Sequence, residues 1–277
     1  MDYFRDLSEN VSGALEEDIR DGDITAQIID EKTIAVARVI SRQSAIICGG
    51  PWVEEVARQI DPKLKIEWQV RDGDEVNQND LLFAVHGKAR SILSAERTML
   101  NFLQSLSGTA TQTRSYVNLI SDTDTTILDT RKTIPGLRLA QKYAVHIGGA
   151  VNHRIGLFDA FLIKENHIHA AGSIDSAVSR ARIIKPNARI EVEVEDLEQL
   201  NEAIAAKPDW IMLDNFNIDD LRTAYNLCNN TGIKLEASGG VEDSEDLKSI
   251  ASTGVHYVSI GALTKHCQAI DLSMRFD

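Results

Sequence analysis

The stretch 129-DTRKTIPGLRLAQKYAVHIGGAVNHRIG-156 gathers cations around a proline and paired glycines. Between Arg131 and His169 stand six cations (Arg131, Lys132, Arg138, Lys142, Arg154 and Lys164) against two acids, Asp159 and Glu165. The whole chain is acidic, with 29 Lys+Arg against 42 Asp+Glu and a formal net charge of -13. A cation about 4 Å from an anion gains roughly 4 kcal/mol at an effective dielectric near 20, and like charges lose as much. Six crowded cations therefore call for a counter-anion, which a polyanionic ligand or two anionic ligands would supply. The alternative, a solvated basic face, is weakened because TRKTIPGLR and GGAVNHRIG are shaped by glycine and proline and are not helix-face patterns.

A second set of polar residues recurs at the ends of short apolar segments. The segments TTILD, AFLIK, RIEVEV, WIMLD, KLEAS and YVSIG alternate with amphipathic stretches such as SIDSAVSRARII, DLEQLNEAIAA, IDDLRTAYNLCNN and SEDLKSIAS. Strands buried on both faces and separated by helices predict βαβ units in a parallel sheet, and their number favours a barrel. Catalytic groups of such barrels gather at the C-terminal strand ends. Those ends deliver Asp129-Thr130-Arg131-Lys132, Lys164, Glu193, Asp214, Glu236-Ala237-Ser238-Gly239-Gly240 and Ser259-Ile260-Gly261-Ala262.

Taken singly, a Glu in EVEV reads as a half-buried strand residue and LDN as a helix-capping turn. Six strands behaving alike make that reading poor. Glycine in SGG and SIGA lets backbone N–H groups approach a phosphate, which barrels commonly bind at this position. His146, His153, His167 and His169 raise the question of a metal, but their Arg and Lys neighbours repel one. Structural or substrate-contacting histidines fit better, and Glu193 with Asp214 better suits Mg²⁺ arriving with phosphate.

Composition narrows the partners. An acidic surface repels nucleic acid and anionic membranes at long range, so neither is expected as the main partner. The 277 residues hold three scattered cysteines, Cys48, Cys228 and Cys267, with no C-x-x-C pair, which predicts reduced thiols and no zinc ribbon. Without a basic and apolar leader or a long apolar run, a soluble cytoplasmic protein is expected. From Thr33 to about Val85 the pattern changes to short β segments (TIAVARVISRQSAIICGG, KIEWQV, LLFAVHG) with helical PWVEEVARQI between them, an α+β sandwich. The piece RDGDEVNQNDLLFAVHGKA also resembles the repeat of biotinyl and lipoyl carriers, but no lysine stands at a hairpin tip, so it reads as scaffold. The segment SAERTMLNFLQSLSGTATQTRSYVNLI, from Ser94, predicts one long helix.

The residues resemble the quinolinate phosphoribosyltransferase family, through EDIRDGDIT, SAERTMLNFLQSLSGTAT, DTRKTIPGLRLAQKYAVHIGGAVNHRIGLFDAFLIKENHI, EVEVEDLEQL, IMLDN, EASGGV and SIGALT. One departure is Ala150, where the family often has a third glycine. The resemblance implies an α/β chain with an N-terminal α+β sandwich (1–103, with the tail 268–277 packing back on it) and an incomplete TIM-like (β/α) barrel (104–267). It implies a homodimer whose sandwich covers the partner's barrel mouth, with Arg42 reaching across. Arg97, Arg131, Lys132, His153, Arg154 and Lys164 would hold quinolinate carboxylates and pyrophosphate. Glu193 and Asp214 would hold ribose hydroxyls or Mg²⁺. Lys132, Lys164, Glu193 and Asp214 are the expected catalytic groups, and Thr130, Ser238, Gly239, Gly240, Ser259, Ile260, Gly261 and Ala262 complete the substrate site. The implied reaction joins quinolinate to phosphoribosyl pyrophosphate with decarboxylation, giving nicotinate mononucleotide. The nearest alternative is a molybdenum-transport-associated homologue of the same family that uses another acceptor.

Overall fold

The computed structural model describes residues 1–241 and 243–277. In chain order its elements are α1 (Leu7–Ile19), β1 (Ile34–Ser41), β2 (Ala45–Ile46), α2 (Gly50–Ile60), β3 (Lys65–Trp68), β4 (Glu75–Val76), β5 (Leu81–Lys88) and α3 (Ala89–Leu119). Next come β6 (Thr126–Leu128), α4 (Arg138–Ile147), β7 (Ala160–Ile163), α5 (Glu165–Ala171), α6 (Ile174–Ile184), β8 (Arg189–Val194), α7 (Leu197–Ala206) and β9 (Trp210–Asp214). The chain ends with α8 (Ile218–Cys228), β10 (Lys234–Ser238), α9 (Ser244–Ala251), β11 (Tyr257–Ser259), α10 (Ala262–Lys265) and β12 (Leu272–Phe276). Two compact units result, one of residues 1–114, 133–149 and 262–277, the other of 115–132 and 150–261.

The first unit is built on an antiparallel sheet of order β12-β1-β5-β3, with β2 and β4 paired beside it. Alternation along β1 sends Ala37 and Val39 to the core, where they join Trp52, Val53 and Val56 of α2 and Met99, Leu103 and Leu106 of α3. Helix α3 begins five residues before the expected Ser94, because strand β5 hands the chain over at Lys88 and Ala89 with no intervening turn. Two glycines allow close packing here. A Cβ at Gly108 would lie 2.0 Å from the Gln268 carbonyl oxygen, and one at Gly148 would lie 2.4 Å from Thr113 Cβ. The last strand, β12, pairs with β1 from Ala37↔Phe276 to Ser41↔Leu272.

The second unit is a six-stranded parallel sheet of order β6-β11-β10-β9-β8-β7 with helices between successive strands. Among the described residues β6 and β7 do not pair, so the barrel is incomplete; a single bridge from Leu128 to Val151 extends the β6 edge. Side chains of parallel partners share a face. The register therefore sorts the sheet into an outer face of Ile190, Val192, Val194, Ile211, Leu213, Leu235, Ala237 and Val258, all buried, and an inner face that is largely polar. Helices α6, α7, α8 and α9 start at Ser173, Asp196, Asn217 and Asp243, each of whose side chains accepts from a first-turn N–H. The capping residue after WIMLD is thus Asn217, which leaves Asp214 and Asn215 available at the rim.

Among the described residues, no helix is long and apolar enough to cross a membrane.

Candidate active site

The inner face of the second unit carries Leu162 and, just past β7, Lys164; Glu191 and Glu193 on β8; Met212 and Asp214 on β9; Glu236 and Ser238 on β10; and Ser259 on β11. At their C-terminal ends a cavity of about 610 Å³ opens. Its wall is completed by Asp129, Thr130, Arg131 and Lys132 after β6, by His153 and Arg154, and by Asn215 and Gly239.

Asp129 builds the cationic side. It is fully buried, accepts from the His153 N–H at 2.8 Å through one oxygen and from Asn152 Nδ2 at 2.9 Å through the other. A carboxylate held this way fixes the NHR turn against the end of β6, placing His153 and Arg154 beside Arg131. Ala150 is buried without adopting a left-handed conformation, so its methyl group is housed, and Gly149 takes the positive φ of 101°.

The cations are under electrostatic strain. Arg131 Nε is buried and has no hydrogen-bond partner among the described residues. Burial and the neighbouring Arg131 guanidinium both oppose the charge on Arg154, whose pKa is lowered. Buried donors without acceptors are rare in folded proteins. Lys164 is paired with Glu193, whose carboxyl is nearly buried on the adjacent strand. Asp214 accepts from Asn215 Nδ2 at 3.0 Å.

Below them lies a buried triad. His153 Nε2 sits 2.8 Å from Glu191 Oε2 and 3.1 Å from Glu236 Oε2, with both carboxylates fully buried. Burial disfavours the imidazolium, but the hydrogen bonds and charges of Glu191 and Glu236 outweigh it and raise His153 to about 9. Burial, with the charge of Glu236 added, raises Glu191 to about 7.

The glycine turns divide. Gly239 and Ser238 line the cavity; Gly239 has φ +81°, and a Cβ there would lie 2.1 Å from Asn215 Oδ1, so close approach to Asn215 requires glycine. Gly240 is exposed with φ +69°, Ile260 is buried with its N–H donated to the Leu128 carbonyl, and Gly261 packs under the Lys132 side chain. Ala262 opens α10 in the first unit.

Of the six cations, Arg131, Lys132, Arg154 and Lys164 line the cavity. Arg138 and Lys142 belong instead to α4 of the first unit, a helix for which the loop reading of this stretch left no place; Arg138 donates to Thr133 Oγ1 and Lys142 is fully buried. Arg42, at the end of β1, and Arg97, exposed on α3, are also carried by the first unit. Of the histidines, His153 alone lines this cavity; His146 stacks on Tyr3, and His167 Nδ1 accepts from the Lys164 N–H.

Sequence reasoning brought Asp129 and Glu236 to the strand-end rim without giving either a role, and passed over Glu191 altogether. The available signal was an acidic side chain in the middle of a strand whose neighbours are all apolar, as in RIEVEV and KLEAS, where burial without a partner would be costly.

Models of the N-terminal and C-terminal domains of quinolinate phosphoribosyl transferase match residues 23–107 and 109–275. The chain is 42% identical over 259 residues to a probable nicotinate-nucleotide pyrophosphorylase (carboxylating) of Bacillus subtilis, covering 93% of this chain and 89% of that protein. It is 38% identical to the nicotinate-nucleotide pyrophosphorylase (carboxylating) of Mycobacterium leprae, over 96% and 95% of the two chains. The solved structure of the Francisella tularensis nicotinate-nucleotide pyrophosphorylase superposes with a TM-score of 0.95 at 50% identity, covering 98% of this chain and 96% of that one. Both halves of the chain, each with its own domain model, therefore make it a member of the quinolinate phosphoribosyltransferase family.

Proposed function

We propose that this chain transfers the phosphoribosyl group of phosphoribosyl pyrophosphate to quinolinate with loss of the 2-carboxylate, giving nicotinate mononucleotide, CO2 and pyrophosphate in de novo NAD biosynthesis. The observation that carries the reading is the Arg131–Arg154 pair, a buried unpartnered donor beside a guanidinium that it repels. A dianionic acceptor and a pyrophosphate ester would resolve both features at once.

The roles follow from charge. The pyridine nitrogen attacks C1 of the sugar as pyrophosphate departs, so the sugar becomes oxocarbenium-like and the leaving group gains charge. Lys132 and Lys164 supply cations for the leaving group and the acceptor, while Glu193 and Asp214 face the ribose. Arg131, His153 and Arg154 hold the ring carboxylates, for which two adjacent anions need several donors. Loss of the 2-carboxylate leaves a carbanion beside the now cationic ring nitrogen, which stabilises it until it takes up a proton. Preorganised cations of this kind and fixed positioning supply most of the acceleration.

Glu193, next to last in β8 and paired with Lys164, and Asp214, last in β9, lie on one face of adjacent strands and both line the cavity. This donor set fits Mg²⁺, which keeps several waters and takes one or two carboxylates together with substrate phosphate. Bound Mg²⁺ would neutralise pyrophosphate charge. The exposed apolar side chains of Leu157, Phe158, Ile183 and Ile184 in the second unit support a homodimer, in which Arg42 would be the residue that reaches the partner's site. Three free cysteines suit a reducing cytoplasm.

The test is an ultraviolet assay with phosphoribosyl pyrophosphate and Mg²⁺, offering quinolinate and nicotinate in parallel. Product from quinolinate alone is expected; product from neither would refute the reading.

A further inference from the structure

We infer that Glu191 and Glu236 are positioning residues that act through His153: they hold its ring as a fixed imidazolium at the cavity floor and thereby select an acceptor with two adjacent carboxylates. The inference rests on the proposed reaction for the acceptor, but its electrostatic half stands on the triad alone.

Three features carry it. The sheet register places Glu191 and Glu236 on the same inner face, two strands apart, and His153 reaches both through one nitrogen. The backbone is fixed independently, since the His153 N–H is bonded to buried Asp129. The ring is also held edge-on to Trp210, with centroids 6.2 Å apart and planes at 79°. A ring clamped at the backbone, at Nε2 and against Trp210 has little freedom to turn toward another partner.

Charge balance favours the imidazolium. Against the ring stand Glu191 from β8, Glu236 from β10 and Trp210 from β9, with Arg154 next in sequence and Asp129 behind the backbone; Arg189 of β8 and Tyr257 of β11 pack on Trp210. Arg189 lies over the Trp210 ring at 3.9 Å and places Nη2 3.9 Å from Glu191 Oε2. Two carboxylates thus face one permanent cation, Arg189, and a proton on His153 brings the count level. The ligand atoms of His153, Glu191 and Glu236 lie within 4.8 Å of one another, a spacing that also suits a metal ion. A dication would add charge where none is missing, beside a cavity already walled by Arg131, Lys132, Arg154 and Lys164. A proton satisfies the triad with less charge. Removing either carboxylate takes away one of the two groups that offset the burial of the imidazolium.

The consequence for selectivity is direct. A neutral imidazole offers a carboxylate at most one neutral hydrogen bond, whereas an imidazolium offers charge as well. Arg131 and Arg154, which line the same cavity, are the donors for one carboxylate of the acceptor on the proposed reaction. The second carboxylate is the one that draws on His153.

The test uses the near-isosteric Glu191→Gln and Glu236→Gln variants. The expected result is a KM for quinolinate raised about tenfold or more, the scale of losing a charge-assisted hydrogen bond, with KM for phosphoribosyl pyrophosphate within twofold. Nitrogen-15 spectra of the wild type, with the His153 signal assigned by its loss in His153→Gln, should show an imidazolium at pH 7.5 and a midpoint near 9. The Gln variants should show a neutral ring at that pH. Equal rises in both KM values, or a wild-type His153 that is neutral at pH 7.5, would overturn the inference. The spectra need no substrate, so a protein that makes no product from quinolinate would defeat the proposed reaction and its selectivity while the charge state of His153 is still decided.

Discussion

Replacing Arg131 by Ala should separate activity from stability in opposite directions. In the ligand-free protein Arg131 is a liability: its Nε is buried without a partner among the described residues, and its charge works against Arg154. Truncation removes both penalties, so the Tm should stay level or rise, with each 1 kcal/mol worth roughly 2–4 °C in domains of this size range. In catalysis the same change deletes a preorganised donor facing a dianion, which costs about 2.7–4 kcal/mol, or roughly a hundredfold to a thousandfold in kcat/KM. Arg131→Lys keeps the charge but loses the planar fork, so it should fall between the two. Paired differential scanning fluorimetry and steady-state kinetics on the same preparation would check this. A Tm that drops several degrees, or a kcat/KM within threefold of the wild type, would refute the assignment of Arg131 as an anion donor held at the expense of stability.

Gly108→Ala should destabilise the first unit by about 1–3 kcal/mol or more, because the new methyl would stand 2.0 Å from the Gln268 carbonyl oxygen, where backbone has to move; thermal denaturation reads the loss directly. The wild-type Tm should fall as pH rises from about 6.5 to about 9: His153 has its pKa raised to about 9 in the fold from an ordinary 6.5, so its stabilisation is complete below 6.5 and is lost as pH passes through 9. His153→Gln should flatten that slope, and an unchanged slope would count against the charged triad. Chelation of divalent ions should abolish turnover, with Mg²⁺ restoring it, and Glu193→Gln combined with Asp214→Asn should raise the Mg²⁺ concentration needed for half-maximal rate severalfold.

The alternating apolar segments of the second unit were legible because parallel strands covered on both faces read as short apolar runs, and the helices between them as amphipathic ones. Their polar ends were legible for the same reason, since Lys164, Glu193 and Asp214 each follow an apolar run. Helix α4 was not. Its first turn follows Pro135 and Gly136 and its last precedes Gly148 and Gly149, so the punctuation dominated the reading, and a buried Lys142 hid the apolar face. The triad was missed for a different reason: His153 and Glu236 are 83 positions apart, and no local pattern says that one neutralises the other. Glu191 and Glu236 become site residues only once the register of β8, β9 and β10 is known.

That register also explains how the fold tolerates so polar an interior. Barrel interiors are usually packed with branched apolar side chains, yet here the inner face holds Arg189, Glu191, Glu193, Asp214 and Glu236. The apolar contribution lies on the other face, where Ile190, Val192, Val194, Ile211, Leu213 and Leu235 are each fully buried. At the N-terminal end of the inner face, the Trp210 ring stacks on Tyr257 with centroids 4.2 Å apart and carries the Arg189 guanidinium on its surface. Aromatic packing thus occupies that end, while the C-terminal end carries the charged groups of the cavity. Sheet–helix packing on the outer face gives the second unit a core away from the strand ends, where Lys164 is paired with Glu193 and Arg131 Nε has no partner among the described residues. The apolar core on one face and the charged groups on the other are thus separated by the alternation of the strands themselves.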